Sequence, residues 1–107
     1  MDININAMLQ AQIYIDKDEL HDDMKPLHEF IFSFLIHHKV RGATAFRGQI
    51  GFGPNQHLKR PDELFSFDEP PMMITFIDED QKVKHVLTQL RKVVKHGIFI
   101  ANPVEAW

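Results

Sequence analysis

The sequence contains no cysteine. That excludes disulfide stapling, thiol nucleophiles and thiolate metal ligation, and it fits a reducing compartment. An excess of basic charge is missing too: 12 Lys and Arg stand against 15 Asp and Glu, a net charge of −3 with histidines neutral. Without a global positive field, the chain lacks the electrostatic footprint of a nucleic-acid binder. No apolar run approaches the ~20 residues of a membrane-spanning helix. Met1 to Ala7 carry neither the basic nor the apolar block of a signal peptide, so the expected location is cytoplasmic. No glycine leads into the Lys-Ser/Thr of a P-loop, and no nucleophile motif or paired-acid spacing occurs. An enzyme is therefore not expected.

What the chain does have is ordinary bulk and one unusual stretch. A hydrophobic share of 44% and a charged share of 25% suit one soluble globular domain over residues 1–107. Residues 1–7 read as a loosely ordered N-terminus. The unusual stretch runs from Gly42 to Gly53. Its first half, Gly42-Ala43-Thr44-Ala45-Phe46-Arg47, alternates as a strand does. Its second half places Gly48, Gly51 and Gly53 within six residues. Glycines permit positive φ and close backbone approach, and consecutive N–H groups in such a turn form a concave anion site. The same residues also read as a kinked strand end with no ligand.

The remaining elements follow from periodicity. Leu9, Ala11, Ile13 and Ile15 alternate with Gln10, Gln12 and Tyr14, which predicts a half-buried first strand. Pro26 opens a helix whose apolar stripe is Leu27, Phe30, Ile31, Phe34, Leu35 and His38, running to about Lys39 or Val40. Phe32 and Ile36 fall on its opposite face as an exposed pair. Pro54 to Pro70 is a long polar connection, the kind that is usually functional or disordered. Met72 to Ile77 is a nearly continuous apolar strand. Asp78 and Gln81 read as a capping box for a second helix with Val83, Val86, Leu87, Leu90 and Val94 inward. Its cations Lys82, Lys84, Arg91, Lys92 and Lys95 read as a solvated face. Gly97 is the expected helix stop. Ile98 to Ala101 is the last strand, ended by Asn102-Pro103. The order β-α-β-β-α-β predicts an α+β, ferredoxin-like antiparallel sheet with both helices on one face.

The run Arg41-Gly42-Ala43-Thr44-Ala45-Phe46-Arg47-Gly48-Gln49-Ile50-Gly51-Phe52-Gly53 resembles the signature of a domain-of-unknown-function family of PII-like bacterial and archaeal proteins. Ile13-Tyr14-Ile15, Lys25-Pro26-Leu27 and Asp68-Glu69-Pro70 add to the resemblance, which spans roughly residues 9 to 101. It implies a compact homotrimer that acts in signal transduction and binds ligands in clefts between subunits. Genes of this family often lie beside those of fluoride-channel proteins, which implies a membrane transporter or channel as partner. In true PII proteins adenine-nucleotide phosphates lie near a Gly-Phe-Gly at the base of a long loop. Here that base is Gly51, Phe52 and Gly53, and the loop is Pro54 to Pro70. This chain has one residue more than PII proteins before Gly-Phe-Gly, so a bulge is expected at Gly48. Before the last strand it has only Lys95-His96-Gly97, where PII proteins carry a second glycine-rich loop with a phosphate-binding lysine.

The ligand residues expected on this basis are Thr44, Arg47, Gly48, Gly51, Phe52 and Gly53, with His57 and Arg60 from the loop. An arginine fork suits phosphate, and Lys59 and Arg60 add charge. The expected effector is a small anion, an adenine nucleotide such as AMP, ADP or ATP, and its binding would order the loop as a switch. The competing reading is a trimeric divalent-metal or ion-homeostasis module without nucleotide, using histidines between subunits. Within one subunit no metal ligand set is expected. His37 and His38 are adjacent on a helix and face about 100° apart. His38, on the apolar stripe, is expected to be a hydrogen-bonded group at the core edge.

Overall fold

Strand β1 (Met8–Asp16), helix α1 (Leu27–His37), strands β2 (Thr44–Arg47) and β3 (Pro71–Glu79), helix α2 (Asp80–Val93) and strand β4 (Ile98–Val104) follow one another in the computed structural model. It describes residues 7–16, 25–49 and 71–107. The four strands form one antiparallel sheet in the order β2-β3-β1-β4. This is the ferredoxin-like arrangement that the order of elements predicts.

Alternation in β1 and β3 decides which side of the sheet is dry. Ala11, Ile13 and Ile15 of β1 lie opposite Phe76, Ile74 and Met72 of β3, and all six are buried. Leu27, Ile31 and Leu35 of α1 and Val83, Val86 and Leu90 of α2 join them in one core. Each helix presents its apolar residues at spacings of three and four, one stripe per helix. Burying a Leu, Ile, Val or Phe side chain contributes about 1.5–3 kcal/mol. The helix-covered face is therefore where most of the folding free energy arises.

The opposite face carries no helix among the described residues. Phe46, Met73, Tyr14 and Ile98 form one row across all four strands, and Thr44, Thr75, Gln12 and Ile100 form the next. Phe46 is 54% exposed and Ile98 62%. Polar side chains knit the middle of this face. The Gln10 amide donates to Thr75 Oγ1 at 3.3 Å, and that hydroxyl donates to the Ala11 carbonyl at 2.9 Å.

Several local expectations change. Helix α1 stops at His37 because Lys39 takes φ +61°. The Lys39 and Val40 amides then donate back to the Ile36 and Leu35 carbonyls, at 2.9 and 3.1 Å, the closing pattern of a left-handed cap. Phe32 packs against the core and leaves Ile36 alone in solvent, 74% exposed. Asp78 does not cap α2. Strand β3 extends two residues past Ile77, Glu79 occupies the N-cap position, and neither it nor Asp78 caps through a side chain. Gly97 does not end α2, which stops at Val93 with an extended Val94 behind it. Strand β4 runs through Asn102 and Pro103, where Pro103 pairs with Leu9. An edge strand tolerates proline because one side of its backbone makes no ladder bonds.

Candidate functional site

Strand β2 is the other sheet edge, and all four of its residues are exposed. It pairs with β3 from Thr44 opposite Thr75 to Arg47 opposite Met72. The Gly48 amide continues the ladder to the Pro71 carbonyl at 2.8 Å. The register is unbroken through Gly48, so the bulge expected there is absent. Gly48 instead serves close approach, since a Cβ at this position would lie 3.2 Å from the Pro71 carbonyl oxygen.

The alternation of β2 separates two of the expected ligand residues. Thr44, opposite Thr75, belongs to the open face, whereas Arg47, opposite the buried Met72, belongs to the helix side. Both stand at the sheet edge and both are exposed. One strand therefore offers a hydroxyl to one side and a guanidinium to the other, and a single flat ligand surface within the subunit does not hold both. Gly51, Phe52, Gly53, His57 and Arg60, like the whole loop Pro54 to Pro70, lie outside the described residues.

Just upstream, the motif is held by a charge cluster that sequence reasoning missed. Asp78 is 1% exposed and faces the helix side, one strand period past Phe76. Its carboxylate accepts the backbone amides of Glu79 at 2.8 Å and Arg41 at 3.1 Å. Arg41 Nε lies 3.4 Å from one oxygen and Lys82 Nζ 3.4 Å from the other. Burial works against its charge, but the two amides and the Lys82 ammonium outweigh burial and hold the carboxyl below its ordinary value. Lys82 also donates to the Lys39 carbonyl. The turn after α1, the start of the motif and the first turn of α2 are thus fastened to one carboxylate. The available signal was the period of two running Met72, Ile74, Phe76, Asp78.

The loop before β4 is likewise fastened. Arg91 donates to the carbonyls of Val94 at 3.3 Å, His96 at 3.2 Å and Gly97 at 3.1 Å. Its guanidinium carbon sits 3.6 Å above the Phe99 ring centre. Arg91 and Lys82 are therefore structural, and not the solvated cations their helical spacing implies. His38 meets its expectation: it is half-buried, and its Nδ1 lies 2.9 Å from the Phe34 carbonyl. Among the described residues no group of three His, Asp or Glu side chains is placed to hold a metal ion. No helix of the described residues is long and apolar enough to cross a membrane.

Residues 8–106 match the family described as DUF190, uncharacterized ACR. The chain is a member of the DUF190 family. Three solved structures share its fold. CPII of Thiomonas intermedia K12, a nitrogen regulatory PII-like protein solved with ADP, AMP and bicarbonate, superposes with a TM-score of 0.67 at 15% identity over 94% of each chain. A PII-like signaling protein of Thermus thermophilus gives 0.62 at 14% identity, over 94% of this chain and 87% of that one. The divalent ion tolerance protein CutA1 of Ehrlichia chaffeensis gives 0.62 at 9% identity, over 95% and 85%. This DUF190 chain thus has the ferredoxin-like subunit that PII-like and CutA proteins also have.

Proposed function

We propose that this DUF190 chain is a PII-like sensor that binds a small anionic effector, an adenine nucleotide, at clefts between the subunits of a homotrimer. The observation that carries the reading is the position of the motif. Strand β2 is an exposed sheet edge, and Gly48, the first glycine of the motif's second half, stands at the end of that edge with its amide on the Pro71 carbonyl. A ligand at such an edge is completed by a second subunit, and Thr44 and Arg47, pointing to opposite sides, then serve two walls of one cleft. The ADP and AMP in the Thiomonas CPII structure support the nucleotide class. The sensor acts by binding and not by catalysis, with residues 54–70 as the segment a partner reads.

Calorimetry with AMP, ADP and ATP, run beside light scattering, tests this. Arg47→Ala removes a charge-assisted contact worth about 1.5–3 kcal/mol, a ten- to hundredfold loss of affinity. The trimer mass should be unchanged. Wild-type protein that binds none of the three nucleotides overturns the reading, as does an Arg47→Ala protein that merely falls to monomers. The second reading, a divalent-metal or ion-homeostasis trimer without nucleotide, draws support from the likeness to the Ehrlichia protein. Binding of metal with no nucleotide heat, abolished by substituting histidines, would favour it.

A further inference from the structure

Three imidazoles gather where the C-terminus of α1 meets α2. The His38 ring centre lies 5.7 Å from that of His37 and 6.3 Å from that of His85, which α2 contributes. His38 is fixed in place, its ring stacked on Phe34 at 4.1 Å with an interplanar angle of 19°. Its Nδ1 lies 2.9 Å from the Phe34 carbonyl oxygen. A carbonyl only accepts, so Nδ1 carries a proton, and in the neutral ring the lone pair is then on Nε2. A backbone carbonyl holding one ring nitrogen while the other stays free is the usual support of a metal-ligating histidine.

We infer that His38 Nε2 and the His85 imidazole form a two-histidine site for a divalent transition cation of the zinc, nickel or copper type, completed by water. Metal–nitrogen bonds of about 2.0–2.1 Å place two imidazole centres roughly 5 Å apart on one tetrahedral ion. The observed 6.3 Å closes to that by rotation of His85, which is exposed. His38 stands at the C-terminal end of α1, where the helix dipole favours a cation. Lys82, one turn before His85 on α2, has its ammonium engaged by the Asp78 carboxylate and the Lys39 carbonyl, which offset its charge. Two imidazole donors select against magnesium and calcium, which take oxygen ligands. His37, next in sequence to His38, faces about 100° away around the helix and is not a ligand. The site lies inside one chain, so it stands or falls apart from the nucleotide reading and from assembly.

The test is Cu2+ bound to the metal-free full chain, read by electron paramagnetic resonance, with Zn2+ affinity measured by calorimetry. One equivalent per chain with hyperfine structure from two imidazole nitrogens is expected. His85→Ala, at an exposed position, should reduce the pattern to one nitrogen and weaken Zn2+ by at least the ~10–100-fold that loss of a supporting group costs. His38→Ala should do the same, with circular dichroism checking its fold. His96→Ala should change neither readout. A one-nitrogen spectrum in the wild type, or an unchanged spectrum and Zn2+ affinity in His85→Ala, overturns the site.

Discussion

Asp78 is a charged residue placed where the period of its strand calls for an apolar one. Its carboxyl titrates below its ordinary value of 3.8 in the folded chain. Its contribution to stability is therefore complete above that value and is lost as pH falls below it. Asp78→Asn, which keeps the shape but not the charge, should destabilise the protein at pH 7 by roughly 1–3 kcal/mol. It should also flatten the acid limb of the stability curve, both measured by urea unfolding between pH 3 and 7. Gly97 makes a second demand on a single position. It has φ +86°, and a Cβ there would stand 2.6 Å from the Tyr14 carbonyl oxygen. Gly97→Ala should cost at least about 1–2 kcal/mol from the backbone alone, seen as a lower urea midpoint. Both roles were misread from sequence for one reason. Asp-x-x-Gln before an apolar run and Gly after one are signals of helix ends. Each was overridden by a strand: β3 by running on to Glu79, β1 by passing under Gly97.

At the scale of elements, the helices and inner strands were legible because their periods are long and their buried faces continuous. Leu27, Ile31 and Leu35, and Val83, Val86 and Leu90, are the residues their spacing puts inside. The edges were not legible. Pro103 reads as a strand breaker, yet β4 pairs on one side only and accommodates it. The bulge expected from the extra residue in the motif is not at Gly48, because the ladder to Pro71 fixes the register there. Among the candidate ligand residues, Thr44 and Arg47 lie on one edge strand with Gly48 directly after it, but the opposite facing of Thr44 and Arg47 follows only from the pairing with β3. The α2–β4 connection depends on Arg91, whose fork reaches three carbonyls while its plane covers Phe99. Arg91→Ala should lower stability by roughly 1–2 kcal/mol in urea unfolding. Arg91→Lys should not restore it, since an ammonium cannot reproduce the planar fork.

Among the described residues the sheet has one face covered by helices and one open face, and the open one holds a row of Phe46, Met73, Tyr14 and Ile98. A contiguous apolar patch of this kind is normally covered by another chain. Light scattering should return three times the 12.5 kDa subunit mass. Phe46→Asp puts a charge into the row without touching the helix-side core, and it should shift the mass towards one subunit at micromolar concentration. A wild-type protein that is monomeric there would remove the shared basis of both functional readings.

The chain's last residue carries its only indole. Trp107 is fully exposed in the single subunit. An indole surrounded by water in the folded monomer emits much as it does in the denatured chain. Its fluorescence is therefore almost blind to folding of the isolated subunit. A blue-shifted emission from the native protein would instead register contact between Trp107 and another chain. Dilution that returns the spectrum to the red while circular dichroism stays constant would separate dissociation from unfolding, with no label added.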